Sequence, residues 1–177
     1  MCTANICRSP LAEALLRGRL TSGPHSVDVA SAGFLTAGRA VPEEMVAAAS
    51  PYGADLSGHR SRQLSPADVT GADLVVGMAR RHVRDVLLLD PGCLPRAFTL
   101  KELVRQGEKV GARGAGTTVG EWLAAVHEGR SRLDLLGASP EDDVADPFGG
   151  SPADYRAAAD ELHDLVDRLV RVLWPTS

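Results

Sequence analysis

The run Leu74-Val75-Val76, inside Ala72 to Met78, constrains the fold most, because an unbroken apolar strand has to be covered on both faces. Crossover helices give a parallel sheet that cover. The flanking segments supply them. Pro10 to about Leu20 reads as a helix that Ser9 caps, with Pro10 in its first position and a stripe of Leu11, Leu15 and Leu16. Val27 to Ala32 is expected as a strand stopping at Gly33, Pro42 to about Ser50 as a helix, Ala79 to Leu89 as another, and Pro95 to Thr99 as a short strand. Leu100 to about Gln106 and Val119 to about His127 follow as helices on either side of a glycine-rich loop, Gly107 to Gly116. Pro152 to Leu173 reads as a long helix, amphipathic through Tyr155, Leu162, Leu165, Val166 and Leu169. Strands and helices alternating in this order predict an α/β fold with a mainly parallel sheet. At 177 residues the chain is expected to be one domain, 1–177.

Ahead of the first helix stands Cys2-Thr3-Ala4-Asn5-Ile6-Cys7-Arg8-Ser9, with a thiol and a guanidinium at the two ends of a short loop. That arrangement suits a tetrahedral oxyanion. Successive N–H groups can line such a loop, the helix N-terminus adds about half a positive charge, and Arg8 can grip two oxygens. The same field favours thiolate at Cys2 and makes it a candidate nucleophile. Spacing alone leaves a second reading open, in which Cys2 and Cys7 are small core residues. No metal site and no cofactor are expected, since Cys93 is the only other thiol and the histidines are scattered. Cys93, His25, His82, His127 and His163 read as structural or solvated, and Trp122 and Trp174 as covering core edges.

The charge sum, 19 basic against 23 acidic residues, gives −4 and argues against nucleic acid as a partner. No apolar run approaches the ~18 residues that span a bilayer, and the first residues lack the order of a secretory signal. An odd set of 3 cysteines fits a reducing compartment, so a cytoplasmic protein is expected.

Cys2 to Glu13 resembles the signature of the low-molecular-weight protein tyrosine phosphatases, Cys-x5-Arg-Ser with Asn-Ile-Cys-Arg-Ser-Pro inside it. Further blocks are similar and in the family's order: Ser31-Ala32-Gly33, His59-Arg60-Ser61-Arg62-Gln63-Leu64, Ala72 to Met78, and Asp146-Pro147-Phe148-Gly149-Gly150. The resemblance implies a three-layer α/β fold with a mainly parallel four-stranded sheet flanked by helices. It also implies a hydrolase that acts on tyrosine-phosphorylated protein through a phosphocysteine. In that scheme Cys2 attacks phosphorus, Arg8 and the loop amides of Thr3, Ala4, Asn5, Ile6, Cys7 and Arg8 hold the oxygens, and Asp146 is the general acid and then the base. One carboxyl serving both half-reactions places the expected optimum below neutral pH. Ser9 would donate to the Cys2 sulfur, Asn5 and His59 would fix the loop, and Phe148 would wall the substrate slot.

The sequence also departs from the family's pattern. Members carry an apolar strand before the nucleophile, whereas this chain begins Met1-Cys2, so the first strand is expected to be missing and its neighbours short of ladder partners. A valine codon used as the start would account for Met1 and put the native start several residues upstream. Phe34 to Arg39 replaces a stretch that usually carries a tryptophan or tyrosine, Ala4 stands where glycine is general, and 101–128 is expected to be an insertion. Three alternatives accompany the tyrosine phosphatase reading: an arsenate reductase of the same fold, a protein arginine phosphatase of the same fold, and a non-catalytic phosphate-binding module. Members acting on phosphoarginine tend to carry threonine where this chain has Ile6, which favours phosphotyrosine.

Overall fold

Side chains of the two central strands point alternately to two cores, and this alternation sets the layers. In the computed structural model, which describes residues 1–21 and 27–175, β1 (Val75–Gly77) and β2 (Ala97–Thr99) run parallel with Val75 opposite Ala97 and Val76 opposite Phe98. Val75 and Ala97 enter one core with Val69, Val83 and Val86; Val76 and Phe98 enter the other with Leu11, Met45, Leu103 and Leu169. The first core is closed by α3 (Pro66–Thr70) and α4 (Arg80–Leu89). The second is closed by α1 (Arg8–Thr21), α2 (Glu43–Ala49), α5 (Leu100–Val110), α6 (Val119–His127) and α7 (Pro152–Leu173). The three-layer α/β expectation holds. Trp122 and Trp174 are both buried in the larger core. His25 lies outside the described residues.

The sheet is smaller than expected. Two strands are present among the described residues in place of four, and Val27 to Ala32 forms none. Its course survives as single parallel bridges, Cys2 to Gly33 and Gly33 to Gln63. On the other side of Cys2, the Met1 α-amino group donates to Val76 O at 2.5 Å, and Met78 N donates to Met1 O at 2.9 Å. Met1 and Cys2 therefore sit in the ladder position between Gly33 and β1, but they cover only its last rungs. Among the described residues, 27–31 and Ala72 to Leu74 pair with no strand.

Two boundaries moved and one helix was added, each for a local reason. The first helix starts at Arg8, so Ser9 lies inside its first turn and does not cap it; its hydroxyl goes to Cys2 instead. The fifth helix runs through Gly107 to Val110, into the stretch expected as loop, because Gly107 lies under Trp122: a Cβ there would come within 2.7 Å of the indole. The third helix was not expected; Ser65 and Asp68 start it with a reciprocal capping box. Segment 101–128 holds most of α5 and all of α6, with α5 against α7 and α6 against the 3-10 turn Pro91–Arg96 that feeds β2. No helix among the described residues is long and apolar enough to cross a membrane.

Candidate active site

The loop from Cys2 to Arg8 is held from below and from both sides. The Thr3 carbonyl accepts the amides of Phe34 at 2.8 Å and Leu35 at 3.2 Å, pulling the 33–35 segment against the loop. Only glycine permits that approach at position 33, since a Cβ would stand 2.8 Å from both Asn5 N and Thr3 O. This is the physical content of Ser31-Ala32-Gly33. Asn5 turns the loop with φ of 54°, the one positive value at a non-glycine among the described residues, so Ala4 carries its Cβ without that strain. The Asn5 amide donates to Ser9 Oγ at 3.0 Å and Ser31 Oγ at 2.7 Å, and its oxygen accepts from Arg62 N at 2.8 Å. His59 Nε2 lies 3.0 Å from the Asn5 carbonyl. Asn5, Ser9 and His59 are thus brought together at the loop.

So braced, the loop turns its own donors inward. The amides of Thr3, Ala4, Asn5, Ile6 and Cys7 have no acceptor among the described residues, and neither does the buried Nε of Arg8. A row of unpaired N–H groups at the head of α1 is a receptacle for an oxyanion. Cys2 is buried at its centre. Burial raises the Cys2 pKa, but the Ser9 hydroxyl at 3.0 Å from Sγ, the Met1 amino group and Arg8 outweigh it, and the net direction is downward. Cys7 goes the other way: burial, then the charges of Asp146 and Cys2, push its thiol up to about 12. Of two cysteines in one loop, only Cys2 has surroundings that favour thiolate.

Asp146 arrives from the far end of the chain. Val144 N donates to Met78 O at 2.9 Å, Val144 O accepts from Arg8 Nη1 at 3.0 Å, and the Gly149 amide reaches the Tyr155 hydroxyl at 3.3 Å. These bonds bring Asp146 Oδ2 to 2.5 Å from Arg8 Nη2, with Arg8 3% and Asp146 42% exposed. Phe148 projects outward beside it, exposed, with the Arg39 guanidinium 5.6 Å over its ring. Ile6 is buried in the larger core, so it is a floor under the loop and not an open wall. Phe34 turns away from the mouth and stacks on His82 at 6.0 Å, leaving Leu35 exposed.

Two functional contacts escaped the sequence. His82 is buried with Nε2 3.0 Å from Thr3 Oγ1, and Arg81 Nη2 donates to the same hydroxyl at 2.6 Å. Arg81 also stands 3.9 Å from Asp146. Burial, then Arg8, the Met1 amino group and Arg81, hold the His82 pKa down to about 3, so the ring is neutral. Nothing in Arg81-His82 beyond a helix start marks them; their role comes from where α4 begins.

A thiol that tends to thiolate, a loop of unpaired amides and an arginine paired with an exposed carboxylate are the groups that cysteine-dependent phosphate transfer uses. The family description "Low molecular weight phosphotyrosine protein phosphatase" matches residues 1–111. The chain belongs to the low-molecular-weight protein tyrosine phosphatase family, whose members are hydrolases that act on phosphoproteins. It is 32% identical over 174 residues to a protein-arginine-phosphatase of Geobacillus stearothermophilus, covering 98% of this chain and 93% of that one. It is 34% identical over 110 residues to the low-molecular-weight protein-tyrosine-phosphatase Etp of Escherichia coli K12, covering 61% of this chain and 71% of that one. Its fold is similar to the crystal structure of a low-molecular-weight protein tyrosine phosphatase from T. tengcongensis, with a TM-score of 0.71, 30% identity, and coverage of 96% and 94%.

Proposed function

We propose that this chain hydrolyses phosphotyrosine in proteins through a phosphocysteine on Cys2. The observation that carries the reading is the set of unpaired loop amides and the Arg8 Nε around the Cys2 thiol. The substrate phosphoryl group takes those donors and takes Arg8 from Asp146. Cys2 Sγ then forms the S–P bond as the P–O bond to the phenol breaks, and the freed Asp146, having taken up a proton from solvent, delivers it to the leaving oxygen. Water attacks the phosphocysteine, Asp146 removes its proton, and the S–P bond breaks to return the Cys2 thiolate, stabilised by the Ser9 hydroxyl at 3.0 Å. Phe148 is exposed beside Asp146 and offers a face to the phenyl ring, worth ~1 kcal/mol. Three unpaired cysteines fit a reducing, cytoplasmic setting.

A second reading, a protein arginine phosphatase, draws support from the Geobacillus relative, which aligns over nearly the whole chain. Measuring kcat/KM on phosphotyrosyl and phosphoarginyl versions of one peptide, with arsenate reduction as a third arm, separates the readings. A larger value for phosphotyrosine is expected, and Ile6→Thr is expected to move the ratio toward phosphoarginine. A larger phosphoarginine value in the unaltered chain would overturn the first reading.

A further inference from the structure

The chain carries a net charge of −4, yet two exposed arginines, Arg39 against Phe148 and Arg81 3.9 Å from Asp146, stand at the mouth of the site. Arg39 is exposed and its backbone is fixed: Arg39 N donates to Ser61 Oγ and Ser61 N donates to Arg39 O, both at 2.9 Å. Its guanidinium lies on one face of Phe148 and has no carboxylate partner among the described residues. Arg81, from the first turn of α4, is 51% exposed and is anchored by Thr3 Oγ1 at 2.6 Å and by His82 Nε2 at 3.3 Å. Those two bonds leave N–H groups of the guanidinium free. An arginine already held on one side loses less side-chain entropy when it binds on the other. Two arginines from different elements therefore flank the place where the phosphorylated residue enters. Beyond the Asp146 loop, a groove of about 690 Å³ between Pro147–Gly150 and α7 is lined by Asp154 and Glu161, whose carboxylates are already engaged, by the Ser151 cap at 2.7 Å and by Lys101 at 2.5 Å.

We propose that Arg39 and Arg81 read acidic side chains next to the phosphorylated residue, so that the preferred substrates are acidic phosphopeptides. The proposal rests on the phosphatase reading of the same site. Each contact is an exposed ion pair, and two of them together give roughly a fivefold preference at low ionic strength, falling as salt is added.

The experiment compares kcat/KM on a phosphopeptide with glutamates on both sides of the phosphorylated residue and on its glutamine counterpart, in phosphotyrosyl and phosphoarginyl series. The unaltered chain is expected to prefer the glutamate peptide in the series it hydrolyses. Arg39→Gln and Arg81→Gln should each reduce the glutamate-to-glutamine ratio, and the double variant should bring it close to one. Because each variant is judged by its own ratio, a general loss of rate does not obscure the result. A ratio near one in the unaltered chain, or one that survives the double substitution, overturns the proposal. The tyrosine-to-arginine ratio in the same data judges the substrate reading separately.

Discussion

Two buried arginines, Arg8 at 3% exposure and Arg130 at 6%, use their donors in opposite ways. Arg130 is saturated. It gives Nε and Nη2 to the Glu102 carboxylate at 2.7 and 3.0 Å, donates to the Leu94 and Ala97 carbonyls, and lies 3.8 Å over the Phe98 ring. Glu102, only 7% exposed, has no other role than to cap α5 and hold this arginine. Arg8 has an unpaired Nε and a partner, Asp146, that is 42% exposed and free to leave. A buried cation whose bonds are all made holds a structure together. One whose bonds are unmade or easily exchanged is prepared for a ligand, because leaving a buried donor unpaired is costly and an oxyanion removes that cost.

The comparison predicts a reversal between activity and stability. Arg8→Ala should lower kcat/KM on p-nitrophenyl phosphate by roughly 10³–10⁵-fold, the range for a guanidinium on a transferring phosphoryl group, while the melting temperature changes little. Activity within a few-fold of the unaltered chain would remove Arg8 from the site. Asp146→Ala comes next, at roughly 10²–10⁴-fold for aryl phosphates with poor leaving groups and much less for good ones. A loss that is flat across leaving-group pKa would show that Asp146 is not the acid. Arg130→Ala should cost about 3–5 kcal/mol by stranding Glu102, seen as a lower melting temperature, with kcat/KM of the folded fraction kept. Equal melting points for Arg8→Ala and Arg130→Ala would dissolve the distinction between them.

What was legible in the sequence was what neighbouring residues decide among themselves. The span Pro152–Leu173 was readable because its apolar residues recur at helical spacing, and the loop from Cys2 to Arg8 because its thiol, guanidinium and helix start share one short segment. Strand lengths were not readable, since Val27 to Ala32 has strand-forming side chains and lacks only a partner, which is a property of another segment. Ser9 shows the same limit for spacing rules: its position suits a cap, and only the family resemblance pointed to the Cys2 sulfur, which takes the hydroxyl at 3.0 Å. The Arg130–Glu102 pair and the His82–Thr3 contact join residues far apart in the chain, and no spacing rule announces them.

Each arginine also has a histidine beside it, which gives the smallest and sharpest test. Burial, then neighbouring positive charge, lowers both: His82 near Arg8 to about 3, and His127 beside Arg130, where the Glu102 carboxylate opposes the shift. An unfolded histidine takes a proton near pH 6.5, whereas folded His82 refuses one until about 3. Between those values the unfolded state binds more protons, so stability falls as pH drops through that window and is complete above it. For His82 the loss between pH 7 and pH 5 is about 2 kcal/mol. His82→Gln should therefore flatten the stability-against-pH curve over that interval more than His127→Gln does, in urea melts followed at both pH values. Parallel curves for His82→Gln and the unaltered chain would mean that the ring beneath Thr3 takes up its proton in the folded state, and that the Arg8 end of the molecule is wetter than its hydrogen bonds imply.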